Sequence, residues 1–219
     1  MRGDILLIRK YHVRAARKIA GVLIPEIRSS RSRYVVTVSG ESGSGKTEIA
    51  HELARILRKN GIRSITVHQD DYFRYPPKTN YRMRREDMSR VGTKEVRLSL
   101  LNKHIKSFRD SRTARLRKPL VYFKEDRIGS ETIPCKNAKV LIVDGTYAAL
   151  LKGVDKKIFL SRTYKDTLRT RMARKREKID AFDKKILAIE HRIISKHRKL
   201  AHITAKKDYS LASESKKQK

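Results

Sequence analysis

The chain contains 219 residues, which is long enough for one domain of ordinary size with a substantial hydrophobic core. Its formal net charge is +32, and its single cysteine, Cys135, excludes an intrachain disulfide and a cluster of thiolate metal ligands. The apolar run at residues 5–8 is too short to cross a membrane, and no cleavage signature accompanies it. We therefore expect a cytoplasmic protein without a membrane segment. The single cysteine is consistent with such a reducing compartment.

The basic residues are spread along the whole chain rather than gathered in one tail. They form either a solvated surface or a track for nucleic acid. The absence of interleaved aromatic residues and of any recognisable helix-turn-helix or RNA-binding signature favours the surface interpretation. Nonspecific binding of RNA or DNA at low salt still follows from the charge. The sequence leaves open whether the chain forms a homo-oligomer.

A helix is predicted close to the N-terminus. Apolar residues at positions 13, 16, 20, 23 and 27 recur at intervals of three and four, the spacing of one helix face. The stretch rich in Arg and Ser at residues 28–33 reads as a solvated connector. Residues 1–33 are therefore interpreted as an N-terminal helix and connector that precede the main domain.

The strongest motif lies between a predicted strand at residues 34–38 and a predicted amphipathic helix at residues 48–57. The G-x-x-x-x-G-K-[ST] pattern is satisfied in full by Gly40, Glu41, Ser42, Gly43, Ser44, Gly45, Lys46 and Thr47. Backbone N–H groups at such a turn bind an anion, the lysine adds a cation, and the threonine hydroxyl is a ligand for Mg²⁺. The motif therefore predicts a loop that binds the phosphates of a ligand together with Mg²⁺.

Two adjacent acids, Asp70 and Asp71, follow a second predicted strand at residues 63–67. The carboxyl ends of parallel strands meet at one edge of a sheet, so these acids should lie near the γ-phosphate end of the loop. One of the carboxylates can deprotonate or orient an attacking hydroxyl, and adjacent residues need not face the same way, so either acid could be the base. The alternative is that these acids merely cap the next turn.

Two parts of the chain are suited to cover a substrate. One is the polar, basic stretch at residues 80–92, and the other is a small hairpin predicted between residues 119 and 133. Between them, the apolar spacing predicts a helix from about residue 94 to residue 109. The candidate substrate contacts are Asp71, Tyr72, Tyr75, Arg82 and Tyr122.

The apolar run at residues 140–143 predicts a buried strand that ends in Asp144 and Gly145. A carboxylate at the tip of a strand beside the phosphate loop can hold Mg²⁺ through water, so Asp144 is the candidate partner of Thr47 at the metal. The alternative is a turn-forming Asp before Gly with no role at a metal. Another buried strand is predicted at residues 157–160.

The basic stretch that follows places Arg171 and Arg174 three residues apart, on one face of a predicted helix. As a lid over about residues 162–181, it would close over ATP, exclude water and neutralise charge during phosphoryl transfer. The alternative is a solvated basic helix.

The remaining predicted elements are an amphipathic helix at residues 182–200, a strand or adenine-side loop at 203–211 and a disordered basic tail at 212–219.

These motifs resemble those of the uridine kinase and phosphoribulokinase group of P-loop kinases, which includes nicotinamide riboside kinases. The resemblance is carried by GESGSGKT at residues 40–47, QDDYF at 69–73, LIVDG at 141–145 and RMAR at 171–174. It implies an α/β three-layer P-loop NTPase fold with a parallel central sheet and a lid, in a kinase domain at residues 34–211. In that group the acid after the Gln acts as base toward the acceptor hydroxyl, and the matching position is Asp70.

Some features differ from those of uridine kinases. Their Asp-His-Pro stretch, which helps to shape the nucleoside pocket, has no counterpart between residues 80 and 101, and Asp144 stands where they usually have Glu. Asp71 stands where uridine kinases usually carry Ser and riboside kinases Asp. The resemblance therefore specifies the phosphate donor better than the acceptor.

The residues and the resemblance lead to one hypothesis: the γ-phosphoryl group of Mg-ATP is transferred to a hydroxyl of a small metabolite, foremost the 5′-hydroxyl of a nucleoside such as uridine or cytidine. Its participants, from donor to acceptor, are Lys46, Thr47, Asp144, Arg171, Arg174 and Asp70. Two alternatives stay open. One is a polynucleotide kinase or other RNA-acting P-loop kinase, which the net charge favours, and the other is a nucleotide-binding regulatory module without catalysis.

Overall fold

The computed structural model describes residues 6–167 and 180–212 of the chain. The described helices are α1 (Lys10–Ser29), α2 (Lys46–Lys59), α3 (Pro77–Glu86), α4 (Leu98–Arg109) and α5 (Ala181–Ile194). The described strands are β1 (Tyr34–Gly40), β2 (Ser64–His68), β3 (Arg115–Tyr122), β4 (Arg127–Pro134), β5 (Val140–Gly145), β6 (Lys156–Leu160) and β7 (Ile203–Ala205). Residues 164–167 form a further helical turn.

Five strands form one central sheet in the order β2-β5-β1-β6-β7, and every neighbouring pair is parallel. β1 and β5 are buried along their whole length. Such strands are typical of a parallel sheet because both of its faces are covered. Val38 of β1 and His68 of β2 both lie opposite Asp144 of β5, so these three strands end at one edge of the sheet. The predicted α/β fold with a parallel central sheet is confirmed.

Helices cover both faces of the sheet. Val36 and Val38 of β1 belong to the core that α1 and α2 cover, whereas Val35 belongs to the core that includes α4 and the end of α5. Ile19 and Leu23 of α1 are fully buried, and burying such a side chain contributes roughly 1.5–3 kcal/mol. The three predicted layers are therefore present, and α1 docks on the core through the face that its apolar spacing predicts.

The connector after α1 is less solvated than predicted. α1 continues through Pro25 to Ser29, and Arg33 is buried. The Arg33 guanidinium donates to the carbonyl oxygens of Phe108 at 2.8 Å and Cys135 at 2.9 Å, among others. A buried charge needs such hydrogen-bond acceptors, so this side chain joins the end of α4 to the end of the β3–β4 hairpin. The prediction of a solvated connector is wrong at Arg33.

The segment between β2 and α4 is more regular than the sequence indicates. The polar stretch at residues 80–92 lies largely in α3 and in a 3-10 turn at Met88–Arg90. A second 3-10 turn at Thr93–Glu95 occupies the start of the helix predicted from about residue 94, so α4 begins only at Leu98. The predicted hairpin is confirmed, because β3 and β4 pair antiparallel along their length.

The C-terminal helix is shorter than predicted. α5 ends at Ile194, and a 3-10 turn at Ser195–Leu200 completes the stretch that was expected to be one helix. Residues 203–211, predicted as a strand or a loop, begin with β7, which ends at Ala205, and continue as a turn. No helix within the described ranges is long and apolar enough to cross a membrane.

Parts of the predicted lid and tail fall outside the described residues, namely 168–179 and 213–219. The two predicted lid arginines, Arg171 and Arg174, lie in the first of these segments. The last described residue, Ala212, donates its N–H to the carbonyl oxygen of Thr204 at 2.8 Å.

Candidate active site

The phosphate loop lies at the carboxyl edge of the sheet, between the end of β1 and the first turn of α2. Gly40, Gly43 and Gly45 have φ angles of +146°, +76° and +91°, which residues with a side chain rarely adopt. A Cβ atom at Gly40 would lie 2.7 Å from the carbonyl oxygen of Leu160, so that position also needs glycine for space. A turn of this kind at a helix N-terminus presents backbone N–H groups to an anion.

Lys46 begins α2 and folds its side chain back over the loop. Its ammonium group donates to the carbonyl oxygen of Glu41 at 2.8 Å. The same oxygen accepts the N–H of Ser44 at 3.1 Å, which closes the turn. The cation is therefore held at the loop, where the motif predicts that it binds phosphate.

Asp144 at the end of β5 connects the phosphate loop to β2. One carboxylate oxygen accepts a hydrogen bond from Thr47 Oγ1 at 2.8 Å, and the other lies 2.6 Å from His68 Nδ1. Burial alone would raise the pKa of Asp144, but the charge and hydrogen bond of His68 and the hydrogen bond of Thr47 outweigh burial and lower it. The carboxylate therefore stays ionised at neutral pH. The sequence did not identify His68, although it is the strand residue that ends β2 beside β5.

The Thr47 hydroxyl and the Asp144 carboxylate are oxygen ligands of the kind that Mg²⁺ prefers. Mg²⁺ is commonly held by one or two protein oxygens together with phosphate oxygens and water. Within residues 6–167 and 180–212, no group of three or more His, Cys, Asp or Glu side chains could hold a metal ion. The hydroxyl and carboxylate oxygens of Thr47 and Asp144 fit Mg²⁺ of this kind, held together with the phosphate oxygens of a nucleotide.

Asp70 lies in a 3-10 turn, Gln69–Tyr72, that follows β2 directly. The Gln69 side chain fastens this turn to the end of β5, because its Oε1 accepts the N–H of Tyr147 at 2.8 Å. Gly145 makes the close approach possible, since a Cβ there would lie 2.3 Å from the Cβ of Gln69. The Nε2 atom of Gln69 is buried and has no hydrogen-bond partner among the described residues.

The turn brings Asp70 into electrostatic reach of the donor site. Its shielding from solvent raises the pKa of the Asp70 carboxyl, the charge of Lys46 lowers it, and the charge of Asp144 raises it further. The net direction is upward, toward the pH at which a general base works best. The structure therefore brings the candidate base, the loop cation and the candidate metal ligand to one edge of the sheet.

Asp71 and Tyr72 have a different environment from Asp70. Both are completely buried. The Asp71 carboxylate accepts hydrogen bonds from Lys118 Nζ at 2.7 Å and from the N–H of Val121 at 3.0 Å. The Tyr72 hydroxyl lies 2.7 Å from His104 Nδ1. These two predicted substrate contacts thus lie in the core, where they join the Gln69–Tyr72 turn to β3 and α4.

The other predicted substrate contacts are distributed over separate elements. Tyr75 is 41% exposed in the loop before α3, and Arg82 is exposed on α3 itself. Tyr122 ends β3, and the guanidinium of Arg127 lies 3.9 Å from the centre of its ring. The sequence therefore located the region of the hairpin and α3 but did not identify a common pocket for these three side chains.

A largely buried ion cluster between α3 and α5 has no counterpart in the predictions. Arg84 Nε donates to Glu95 Oε1 at 2.5 Å, and Arg84 Nη2 donates to Glu190 Oε1 at 3.0 Å. Burial alone would lower the pKa of Arg84, but the bond to Glu95 and the charge of Glu190 outweigh burial and raise it. Glu190 is 106 positions from Arg84 in the chain, so no spacing pattern could have identified the cluster.

The described root of the predicted lid is attached to the phosphate loop. One Glu41 carboxylate oxygen accepts the N–H of Tyr164 at 2.6 Å, and the other lies 2.6 Å from His191 Nδ1 of α5. The hydroxyl of Thr167 donates to the carbonyl oxygen of Ser42 at 3.1 Å. Glu41 was predicted as a member of the phosphate loop, and its side chain in addition links that loop to the helical turn at residues 164–167 and to α5.

Known proteins are similar to this chain in sequence. The family model described as Phosphoribulokinase / Uridine kinase family matches residues 35–177. The bifunctional alpha-galactosidase/sucrose kinase AgaSK of Mediterraneibacter gnavus is 27% identical over 198 residues, which are 84% of this chain and 21% of that protein. A uridine kinase of Leuconostoc citreum is 29% identical over 119 residues, which are 51% of each chain. The chain thus spans about a fifth and about half of the lengths of these two relatives.

Solved structures share the fold at lower identity. A chain from Silicibacter, provisionally described as a fructose transport system kinase, has a TM-score of 0.65 at 20% identity and covers 83% of this chain and 94% of its own. A chain from Bacillus stearothermophilus, provisionally described as a uridine kinase, has a TM-score of 0.62 at 18% identity. The match covers 86% of this chain and 97% of that one. D-glycerate 3-kinase from Cryptococcus neoformans has a TM-score of 0.60 at 12% identity, with coverages of 90% and 97%. Identities this low establish the fold alone.

Proposed function

This chain belongs to the phosphoribulokinase and uridine kinase family, and on that premise we propose that it transfers the γ-phosphoryl group of Mg-ATP to the 5′-hydroxyl of a nucleoside such as uridine or cytidine. The observation that carries this proposal is the meeting of Lys46, the Thr47–Asp144 pair and Asp70 at one edge of the sheet. Phosphoryl transfer needs positioning and charge stabilisation more than covalent help from the protein. A cation, a metal-ligand pair and a carboxylate base supply these needs.

The donor half of the site acts through the phosphate loop. The loop N–H groups and Lys46 bind the β- and γ-phosphates, which fixes the γ-phosphorus in front of the acceptor. Thr47 and Asp144 hold Mg²⁺, which neutralises negative charge on the phosphate oxygens when it is bound. The lowered pKa of Asp144 keeps this ligand ionised at neutral pH.

The acceptor half depends on Asp70. As the acceptor oxygen forms its bond to the γ-phosphorus, the bond from phosphorus to the ADP oxygen breaks, and the hydroxyl proton passes to the Asp70 carboxylate. The raised pKa of Asp70 makes it a better proton acceptor, while Lys46 limits the rise and so favours the ionised form. Arg171 and Arg174 of the predicted lid are proposed to close over the transferring group and neutralise its charge.

A sugar hydroxyl is the second candidate acceptor. The similarity to the bifunctional alpha-galactosidase/sucrose kinase extends over 84% of this chain, whereas the similarity to the uridine kinase extends over 51%. Both acceptor classes are uncharged polyhydroxylated molecules. The buried Nε2 group of Gln69, next to Asp70, has no hydrogen-bond partner among the described residues and could donate to a hydroxyl oxygen of either class.

A panel of acceptors tests the proposal. The protein is incubated with Mg-ATP labelled at the γ-phosphate and with uridine, cytidine, nicotinamide riboside, pantothenate, sucrose, fructose or a 5′-hydroxyl oligonucleotide. We expect transfer to a nucleoside, and transfer to a sugar would support the second candidate. Lys46→Ala should abolish transfer, whereas the control Lys59→Ala, at the other end of α2, should not.

Two outcomes would contradict the proposal. Phosphorylation of the oligonucleotide alone would show that the acceptor is a nucleic acid. Nucleotide binding without transfer to any acceptor class, together with ATP binding that is the same in the wild type and in Asp70→Asn, would favour a regulatory module.

A further inference from the structure

The turn after β7 places an aromatic side chain on the phosphate loop. Tyr209 has a φ angle of +64°, a left-handed conformation that is strained for a residue with a side chain. The turn is closed by the Tyr209 N–H, which donates to Lys206 O at 2.9 Å, and by the Lys206 N–H, which donates to Ser210 O at 2.7 Å. Tyr209 is buried, with only 5% of the residue exposed. Strain of this kind persists where the surroundings hold the residue in place.

The Tyr209 hydroxyl bonds directly to the loop backbone. It donates to the carbonyl oxygen of Ser44 at 2.9 Å, and it accepts a hydrogen bond from Arg162 Nη1 at 3.2 Å. The arginine can only donate, and His12 Nδ1 accepts the N–H of Arg9 at 3.2 Å, so Nε2 of a neutral His12 is also a donor. The hydroxyl proton is therefore directed to the Ser44 carbonyl. Arg162 also donates to the carbonyl oxygen of Asp166 at the root of the predicted lid, at 2.9 Å.

The first turn of α1 completes this arrangement. Tyr11 stacks on Tyr209 with ring centres 4.9 Å apart and planes inclined by 14°, and His12 Nε2 lies 3.3 Å from the Tyr209 hydroxyl. A Cβ atom at Gly45 would lie 2.7 Å from His12 Nε2 and 2.8 Å from the Tyr209 hydroxyl. The backbone of the phosphate loop therefore packs tightly against both side chains.

This contact orients one peptide group of the loop. The Ser44 carbonyl and the Gly45 N–H belong to the same planar trans peptide, so they point in opposite directions. A hydrogen bond that holds the carbonyl toward Tyr209 therefore keeps the Gly45 N–H on the other side of the peptide plane. In a phosphate loop, that N–H is one of the groups available to the anion.

We propose that Tyr209, supported by Tyr11 and His12 of α1, is a positioning residue that holds the Ser44–Gly45 peptide in its anion-binding orientation. Tyr11 and His12 precede the residues matched by the family model, 35–177, and Tyr209 follows them, so this support comes from outside the matched segment. The inference rests on the donor half of the proposed function and is independent of which acceptor is used.

The test is Tyr209→Phe, which removes the hydroxyl and keeps the ring. Calorimetry with Mg-ADP should show a dissociation constant about five- to tenfold higher than that of the wild type, as expected for the loss of one buried hydrogen bond. In turnover assays, the KM for ATP should rise by a similar factor while the KM for the acceptor stays within about twofold. The matched control is Tyr34→Phe, which removes a hydroxyl that donates to Glu26 Oε2 at the start of β1, at the opposite end of that strand from the loop. The Mg-ADP dissociation constant and the KM for ATP of this control should match those of the wild type.

The result that would overturn the inference is a Mg-ADP affinity of Tyr209→Phe within about twofold of the wild type, measured well below the melting temperature. A lower melting temperature with unchanged affinity would show a purely structural role and would overturn it equally. If Tyr209→Phe does not fold, Tyr11→Ala, which removes the stacked ring without touching the loop, should weaken Mg-ADP binding and leave the acceptor KM unchanged. A wild-type protein that binds no Mg-ADP would refute the donor half of the proposed function itself.

Discussion

At the scale of single residues, two adjacent acids have different surroundings. Asp70 is influenced by the charges of Lys46 and Asp144, whereas Asp71 is buried against Lys118. A 3-10 turn advances about 120° per residue, so consecutive side chains leave it in different directions. The Asp-Asp pair therefore contains one candidate base and one acid with core contacts, and the candidate base is the first of the two.

Asp70→Asn should lower turnover about 10²-fold or more while it leaves the affinity for ATP nearly unchanged, because it removes the proton acceptor and keeps the phosphate loop. Steady-state kinetics with the acceptor found in the panel measures turnover, and calorimetry with Mg-ATP in the absence of acceptor measures the affinity for ATP. Asp110→Asn, an exposed acid paired with Arg112, is the control and should have wild-type kinetics. An unchanged turnover rate in Asp70→Asn would show that Asp70 is not the base.

His104 should make the stability of the fold depend on pH. Its Nδ1 lies 2.7 Å from the Tyr72 hydroxyl, and burial, followed by the charge of Lys118, lowers its pKa from 6.5. A histidine with a folded pKa below its unfolded value stabilises the fold fully above the unfolded pKa, and this contribution is lost as the pH falls toward the folded pKa.

We therefore expect the free energy of unfolding in urea to decrease between about pH 7.5 and about pH 5.5, and to decrease less in His104→Asn. His197, whose pKa is also lowered by burial, should account for part of the remaining dependence. Identical pH profiles for the wild type and His104→Asn would contradict this prediction.

At the scale of elements, a buried ion pair fastens the β3–β4 hairpin to the turn that carries Asp70. Lys118 of β3 lies 2.7 Å from Asp71 and 2.7 Å from Glu131 of β4. The side chains of Lys118 and Asp71 are 2% and 0% exposed, so neither charge is solvated. Such a pair costs free energy to bury, but it is far more costly to break on one side only.

Asp71→Ala should lower the free energy of unfolding by about 3–5 kcal/mol, because it leaves the buried Lys118 ammonium without its fully buried partner. Equilibrium unfolding in guanidinium chloride measures this loss of stability. Asp71→Ala combined with Lys118→Met should recover part of the loss, since no buried charge then remains. The control Glu125→Ala, which breaks the exposed pair with Arg127, should cost less than about 1 kcal/mol. A double variant as unstable as Asp71→Ala would contradict the prediction.

At the scale of the whole molecule, the charge of +32 gives the protein a positive field with a sequence pI of about 10.6. A polyanion releases its condensed counterions when it binds such a surface, so affinity falls as salt rises. Nucleic-acid binding of this kind is independent of base sequence and needs no dedicated pocket.

We expect a labelled single-stranded oligonucleotide to bind at low salt, with an association constant whose logarithm falls linearly with the logarithm of the salt concentration. Fluorescence anisotropy over a salt series measures the slope. Oligonucleotides of equal length and different sequence should bind equally, and Mg-ATP should not displace them. A strong sequence preference, or displacement by Mg-ATP, would indicate a specific site at the phosphate loop and would contradict surface binding.

Much of the fold could be predicted because its signals are local. The β1, phosphate loop and α2 segment is contiguous, and β5 and β6 are short apolar runs whose burial follows from their composition. The amphipathic spacing of α1 and α4 likewise predicts helices on a core. The predicted helix boundaries were wrong where a short 3-10 turn replaces a turn of α-helix, as at Ser195–Leu200. Apolar spacing hardly distinguishes these two kinds of turn.

The site could be predicted only in part. The loop residues and the two acids at strand ends follow from motif and strand order, whereas the buried partners of Arg33 and Arg84 do not. In the sequence those arginines are indistinguishable from the many other basic residues. Only the packing of distant segments supplies the carbonyl and carboxylate groups that make their burial favourable.

The sequence by itself determined the phosphate-binding loop, the parallel α/β fold and the candidate acids, because these depend on contiguous residues and on apolar periodicity. The tertiary structure decided which acid lies near Lys46, that Thr47 meets Asp144, and that Tyr209 reaches the loop. Those contacts join residues 97 and 165 positions apart, as between Thr47 and Asp144 and between Ser44 and Tyr209. Hydrogen bonds act only over a few ångströms, so such pairs can be recognised only once the strands and helices have brought them together.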